Sequence, residues 1–164
     1  MNAQDIEIAV ANYYGYRQNI IIPNLSWGAD FGHECDMIIM RPSGSITEVE
    51  IKISKSDLKA DFKKGHNHAS KYIRYLFYAY PETMSDCDTL IPYGAGIFHI
   101  VKLELQNGGH YLSCKQIRGA VGKKTVPLND EQKINIMRLG CMRIWSLKRH
   151  LRGKRDQLNE MKKK

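Results

Sequence analysis

The order of sequence patterns predicts an α/β fold: a mixed β-sheet core flanked by helices, with a long helix near the C-terminus. Three observations predict it. Helical apolar spacing and strand-like runs follow one another as helix, three strands, helix, strand, hairpin and helix. The 164 residues, 43% hydrophobic and 26% charged, suit one compact domain with its own core. No internal repeat appears, and no apolar run approaches the ~20 residues that a membrane span needs.

Ile6, Val10, Tyr13 and Tyr14 recur at helical spacing over 3–14, with Glu7 on the same segment and Gly15 placed to end it. Ile20–Ile22 reads as a short apolar strand stopped by a turn at Pro23-Asn24, and 26–33 reads as a loop. Residues 35–41 and 46–53 are strands joined by Pro42-Ser43-Gly44-Ser45. The second of them alternates, with Val49, Ile51 and Ile53 on one face and Glu48, Glu50 and Lys52 on the other. That gives it a core face and a charged face.

Ser54 or Ser56 can cap a following helix that carries Asp57, Leu58 and Phe62 and that Gly65 bends or ends. Residues 67–74 are expected to resume helix. The run 76–80, closed by Pro81, is a buried strand, and 81–94 is a loop. Residues 96–105 and 111–118 flank the turn sequence 106–110 and make a hairpin, followed by a loop over 119–126. Asn129 and Gln132 form a capping-box pattern for a helix starting near 130. Its apolar residues Ile134, Met137, Cys141, Ile144 and Leu151 predict docking as far as Leu151. The expected organisation is therefore one domain over 1–151 and a basic tail over 152–164.

Met1–Asp5 has neither a basic region nor an apolar core of the secretory kind, and Cys35, Cys87, Cys114 and Cys141 show no CxxC pairing. A reducing cytoplasmic location is expected. The net charge of +8, from 25 basic and 17 acidic residues, points to a polyanionic partner such as nucleic acid. Its location matters more than its size. Residues 1–137 carry 15 basic and 15 acidic side chains, while 138–164 carry 10 basic and 2 acidic.

An acid-x-Lys spacing occurs about one to two times by chance in a chain of this length. Five are present, but only Glu50/Lys52 falls on a strand, where a period of two puts both side chains on one face. Metal-assisted hydrolysis of a phosphodiester needs hard oxygen ligands around an open position, and a group that orients water and offsets phosphate charge. Asp36, on the neighbouring strand, can reach the Glu50/Lys52 face if the two strands are antiparallel. Asp36, Glu50 and the Ile51 carbonyl can then hold Mg²⁺ or Mn²⁺, Lys52 can position or activate water, and Glu7 can add an outer ligand. The bland alternative is an exposed polar face with a cross-strand ion pair.

Asp36 followed by Glu50-Ile51-Lys52, in a strand-turn-strand setting after an acidic helix, resembles the PD-(D/E)xK nuclease superfamily. The run Glu50–Asp61, then Lys71-Tyr72, the strand 76–80 with Pro81, and Gly94-Ala95-Gly96-Ile97 resemble more closely the bacterial MmcB-type DNA-repair endonucleases. Cys35 stands where the superfamily's namesake motif has proline. The resemblance implies a restriction-endonuclease-like fold around a four-stranded mixed sheet, with Asp36, Glu50 and Lys52 catalytic. It also implies phosphate contacts from Lys71 and Tyr72 on a helix beside the site, and a homodimer as one arrangement for cutting two strands.

The stretch 50–74, with seven basic residues including Lys55 and Lys59, is either a solvated helix face or a phosphate-binding rim. His66 and His68 have no companion cysteine pair and read as surface histidines rather than zinc ligands. The aromatics of 72–80 read as core, with Tyr72 kept as a base-contacting exception. Arg149, Arg152, Lys154 and Arg155 offer non-specific contacts to a nucleic-acid backbone. The expectation is a metal-dependent endonuclease acting on DNA, with RNA left open as substrate. A non-catalytic nucleic-acid- or protein-binding module that keeps the same fold is the competing class.

Overall fold

The structure is a computed structural model and describes residues 1–28, 30–63, 68, 70–106 and 108–162. Helix α1 (Ala3–Tyr14) is followed by strands β1 (Ile20–Leu25), β2 (Cys35–Met40) and β3 (Ile46–Ile51), then by helix α2 (Lys55–Asp61). Strand β4 (Ile73–Pro81), a 3-10 segment (Glu82–Leu90), the hairpin β5 (Gly96–Glu104) and β6 (His110–Arg118), and helix α3 (Asp130–Met161) complete the chain. The strands form one mixed sheet in sequential order. β1, β2 and β3 are antiparallel, β3, β4 and β5 are parallel, and β5 and β6 are antiparallel. The fold is α/β as expected, with six strands rather than four. No helix among the described residues is long and apolar enough to cross a membrane.

Local chemistry accounts for most boundaries. Asn2 and Asp5 make a reciprocal capping box on α1, and Gly15 ends it in the left-handed region at φ 69°. Ser54 caps α2 by accepting from the Asp57 amide, and Asn129 caps α3 through the predicted exchange with Gln132. Three expectations are corrected. β1 does not stop at Pro23: it pairs on one side only, so a residue without N–H costs it no ladder bond, and it continues to Leu25 past Asn24 at φ 52°. Lys71 and Tyr72 lie on a bend ahead of β4 instead of a helix, because Ile73–Tyr78, rich in β-branched and aromatic residues, pairs with β3 from Ile46↔Ile73 onward. Residues 64–67 and 69, where part of that helix was expected, lie outside the described residues. The loop expected over 81–94 contains the 3-10 segment.

The two faces of the sheet are covered differently. Under α1, Ile6, Ala9 and Val10 join Met37, Ile39, Val49, Phe77 and Phe98 in one continuous apolar cluster. On the opposite face one apolar cluster gathers Ile22, Ile38 and Ile46 beneath Ile136 and Leu139 of α3. A second gathers Leu58 of α2 with Tyr78, Tyr80, Met84 and Ile97. Between these two patches the sheet presents Glu48 and Glu50.

α3 is about 48 Å long at 1.5 Å per residue. Its docking ends earlier than the spacing predicts and uses another face, since Ile134, Met137 and Cys141, expected to dock, are exposed. Gln132, Ile136 and Leu139 are its buried residues, and Arg143 donates to the Asn24 carbonyl. Every described residue from Cys141 onward is exposed, including Ile144 and Leu151. An apolar period predicts a docking face only as far as the body has surface to meet it, and here α3 meets the body along β1.

Candidate active site

The charged face of β3 is buried, not solvated. Glu48 is 0% exposed, and Glu50 and Lys52 are each 3% exposed. In register, Ile38 and Leu76 flank Glu48, and Tyr78 lies beside Glu50. Burying charges without partners is prohibitive, so the surrounding elements must supply them.

α2 supplies Asp61 at its last position, held over the sheet by buried Leu58 three residues earlier. Lys52 donates from Nζ to Glu50 Oε2 at 2.7 Å and to Asp61 Oδ1 at 3.0 Å, and lies 3.7 Å from Asp36 Oδ2. The Asp36 carboxylate accepts the Ile51 N–H at 2.9 Å, which fixes it against β3. In extended backbone the N–H and C=O of one residue face the same neighbour, so the Ile51 carbonyl shares that edge with Asp36. The Asp36 side chain is 38% exposed and opens the cluster to solvent. Glu7 stands at the same end, taking a 3.5 Å hydrogen bond from the Asn24 amide and electrostatically repelled by Asp36.

Two histidines complete the cluster. His33 donates from Nε2 to Glu48 Oε1 at 2.6 Å. His68, in the left-handed region at φ 48°, has Nδ1 3.3 Å from Glu48 Oε1 and Nε2 3.2 Å from Asp61 Oδ2. The two rings meet edge-on at 5.2 Å between centroids, and the Tyr78 hydroxyl donates to Asp61 Oδ2 at 3.4 Å. A cleft of about 680 Å³ opens beside them, with Asp61 and His68 on its wall and Phe62, Tyr78, Tyr93 and Lys123 around it.

The pKa values follow from burial set against pairing. Burial pushes Glu50 up, the Asp36 charge adds to this, and Lys52 opposes it without cancelling it. Burial also acts on Glu48 and Asp61, but hydrogen bonds from His33 and His68 to Glu48, and from His68 and Lys52 to Asp61, hold both carboxyls below their ordinary values. Burial alone would lower Lys52 and His68. The carboxylates around them win instead: Lys52 is raised and stays an ammonium, and His68 is raised to about 10.

The structure thus brings Asp36, Glu50, Lys52 and the Ile51 backbone together, with Glu7 on the rim. The other expected contacts fare differently. Lys55 is engaged by Asp86 at 2.6 Å on the surface, and Lys59 is exposed on α2. Lys71 sits over the Tyr72 ring at 5.1 Å, and that ring is half-buried against the core, 6.2 Å from Phe31, rather than offered to a base. Arg149, Arg152, Lys154 and Arg155 lie on the projecting part of α3, away from the cluster, with Arg152 and Arg155 near Asp156.

His68 is the clearest correction: expected on the surface, it is buried at the centre of the cluster, while His66 lies outside the described residues. Sequence reasoning also left out Glu48, Asp61 and His33. Glu48 had a signal, its position two residues before Glu50 on the same strand face. His33 and His68 belong to none of the helices or strands and had no such signal.

Among the described residues, Glu48 Oε2 and Glu50 Oε1 are buried without a hydrogen-bond partner. On the Asp36 side the donors are all oxygens, and Asp36 borders solvent. A carboxylate pair, a carbonyl and room for water fit a hard divalent ion such as Mg²⁺.

No family model matches the chain, and no curated protein matches it. Among solved structures it is similar to the SPO1766 protein of unknown function from Silicibacter pomeroyi, with 20% sequence identity and a TM-score of 0.63. The likeness covers 93% of this chain and 92% of that one, and it concerns the fold.

Proposed function

We propose that the protein is a metal-dependent endonuclease of the PD-(D/E)xK type that hydrolyses DNA phosphodiester bonds, in repair, recombination or mobile-element metabolism. The observation that carries this reading is the meeting of Asp36, Glu50 and Lys52 across two antiparallel strands, with Asp36 pinned by the Ile51 amide. Asp36, Glu50 and the Ile51 carbonyl would hold Mg²⁺ or Mn²⁺. The ion would supply Lewis-acid polarisation of the phosphate and a water of lowered pKa. Lys52, kept charged by its carboxylate neighbours, orients water and offsets charge growing on the phosphate; the surround that raises it disfavours a role as proton acceptor. Glu7 steadies the outer shell. The cations of α3, remote from this chemistry, supply non-specific affinity for the backbone.

The test is a cleavage panel of plasmid, linear, single-stranded and branched DNA, and of structured RNA, with Mg²⁺ or Mn²⁺. Wild type, Asp36→Asn and Lys52→Met are run together. Metal-dependent products from wild type that fall at least about 100-fold in both variants support the reading. Products from RNA alone would move the substrate class. Absence of product on every substrate favours the binding-module reading.

A further inference from the structure

Glu48, Asp61 and His68 take no part in the chemistry just described, yet they are among the most deeply buried polar residues of the protein. They lie behind Glu50, on the side away from Asp36. One donor atom from each of Glu48, Glu50 and His68 falls within 4.8 Å of the others. Two of the carboxylate oxygens in this space, Glu48 Oε2 and Glu50 Oε1, are sealed from solvent without a hydrogen-bond partner among the described residues. A carboxylate oxygen is a strong acceptor, and leaving one buried and unused is costly unless something cationic occupies its lone pairs.

His68 is set up as a ligand. Its Nε2 faces Asp61 Oδ2 at 3.2 Å, and its Nδ1 points between the two glutamates, 3.3 Å from Glu48 Oε1 and 3.7 Å from Glu50 Oε1. A carboxylate behind the far nitrogen fixes the ring and raises the basicity of the near one, the usual support for an imidazole that binds a metal. Asp61 is itself held by Lys52 and Tyr78. A second donor group, His33, Cys35 and Glu48, lies alongside. Cys35 there is wholly buried in the apolar cluster with Ile22 and Ile38, and that group has a single carboxylate.

We propose that Glu48, Glu50 and His68 form a second divalent-cation site, behind the Asp36 site and sharing Glu50 with it, selective for a first-row transition-metal ion over Mg²⁺. The selectivity follows from the donors. A nitrogen ligand with two carboxylates suits Mn²⁺ or Zn²⁺, whereas Mg²⁺ favours all-oxygen ligation and keeps several of its waters. The ion takes the place of the proton on His68 Nδ1, and Asp61 keeps its bond to Nε2.

The site does not depend on the nuclease reading, and the test does not use cleavage. Metal-stripped full-length protein is titrated with Mn²⁺ in excess Mg²⁺, and bound ion is followed by electron paramagnetic resonance. One Mn²⁺ per chain should remain bound, with electron spin-echo modulation from a directly coordinated imidazole nitrogen. Asp61→Asn should weaken retention by about 10–100-fold, the cost of losing a partner behind a ligand. His68→Ala should abolish the nitrogen modulation, while Asp36→Asn should keep both ion and modulation. The modulation is read on wild type, so it stands even if a variant folds poorly. Complete displacement of Mn²⁺ by Mg²⁺, or retention without nitrogen coupling, would overturn the proposal and leave His33 and His68 as counter-charges to Glu48. Protein that keeps the ion but cleaves nothing would count against the nuclease reading alone.

Discussion

Replacing Lys52 by methionine tests how the centre of the molecule is held together. The ammonium bonds Glu50 at 2.7 Å and Asp61 at 3.0 Å, and all three side chains are almost wholly buried. Methionine keeps much of the stem volume and removes the charge, so the change is electrostatic more than steric. Two buried carboxylates then lose their shared cation, and breaking a buried pair from one side costs about 3–5 kcal/mol. With a urea slope of about 2 kcal/mol/M for a chain of this size, the unfolding midpoint should fall by about 1.5–2.5 M. The cost should shrink by at least about 1 kcal/mol in Lys52→Met/Glu50→Gln, because the stranded charge on Glu50 is gone. Equilibrium urea unfolding of the metal-free protein at neutral pH, followed by fluorescence and circular dichroism, reads both numbers. A loss below about 0.5 kcal/mol, typical of an exposed pair, would refute burial of this charge network.

Three further outcomes are expected. Gly96→Ala should lower the melting temperature by at least about 5 °C, since a Cβ there would strike the Phe77 ring and come within 2.9 Å of the Ala120 amide nitrogen. Phe77 is stacked on Phe98 at 4.3 Å and has nowhere to retreat; an unchanged melting temperature would contradict that packing. The raised pKa of His68 contributes stability that is fully present below its ordinary 6.5 and is lost as pH rises through about 10. Metal-free protein should therefore weaken between those values, and His68→Gln should flatten that slope in denaturant titrations; equal slopes would remove the assignment. Ending the chain after Ser146 should leave the melting temperature within about 2 °C, because no described residue beyond that point is buried, while reducing the salt dependence of the proposed DNA binding. An identical salt slope would deny the helix a part in binding.

Strand identities and the Asp36/Glu50/Lys52 constellation were legible because period-two alternation and the β2–β3 turn determine which side chains share a face. The environment of that face was not. Glu48, Glu50 and Lys52 alternate with Val49 and Ile51 as they would on a half-solvated strand, and only the covering by α2, His33 and His68 turns the polar side into an interior. The same limit explains α3. Ile134, Met137, Cys141, Ile144 and Leu151 share one side of the helix, but the side that docks carries Gln132, Ile136 and Leu139, and an apolar period tells neither which side meets the body nor where that surface ends. Lys71 and Tyr72 were misplaced because pairing with β3 outweighed a weak local helical preference.

The polar cluster divides one face of the sheet into two separate apolar patches, while the face under α1 is continuous. Cooperativity should divide in the same way. The seven-residue α2 is tied to the rest through Leu58 and through the ionic bonds of Asp61, so its amides should exchange with solvent by a local opening far cheaper than the one that frees β2, β3 and β4. One wall around the carboxylates can then breathe on its own timescale, while the strands that carry Asp36 and Glu50 stay in register.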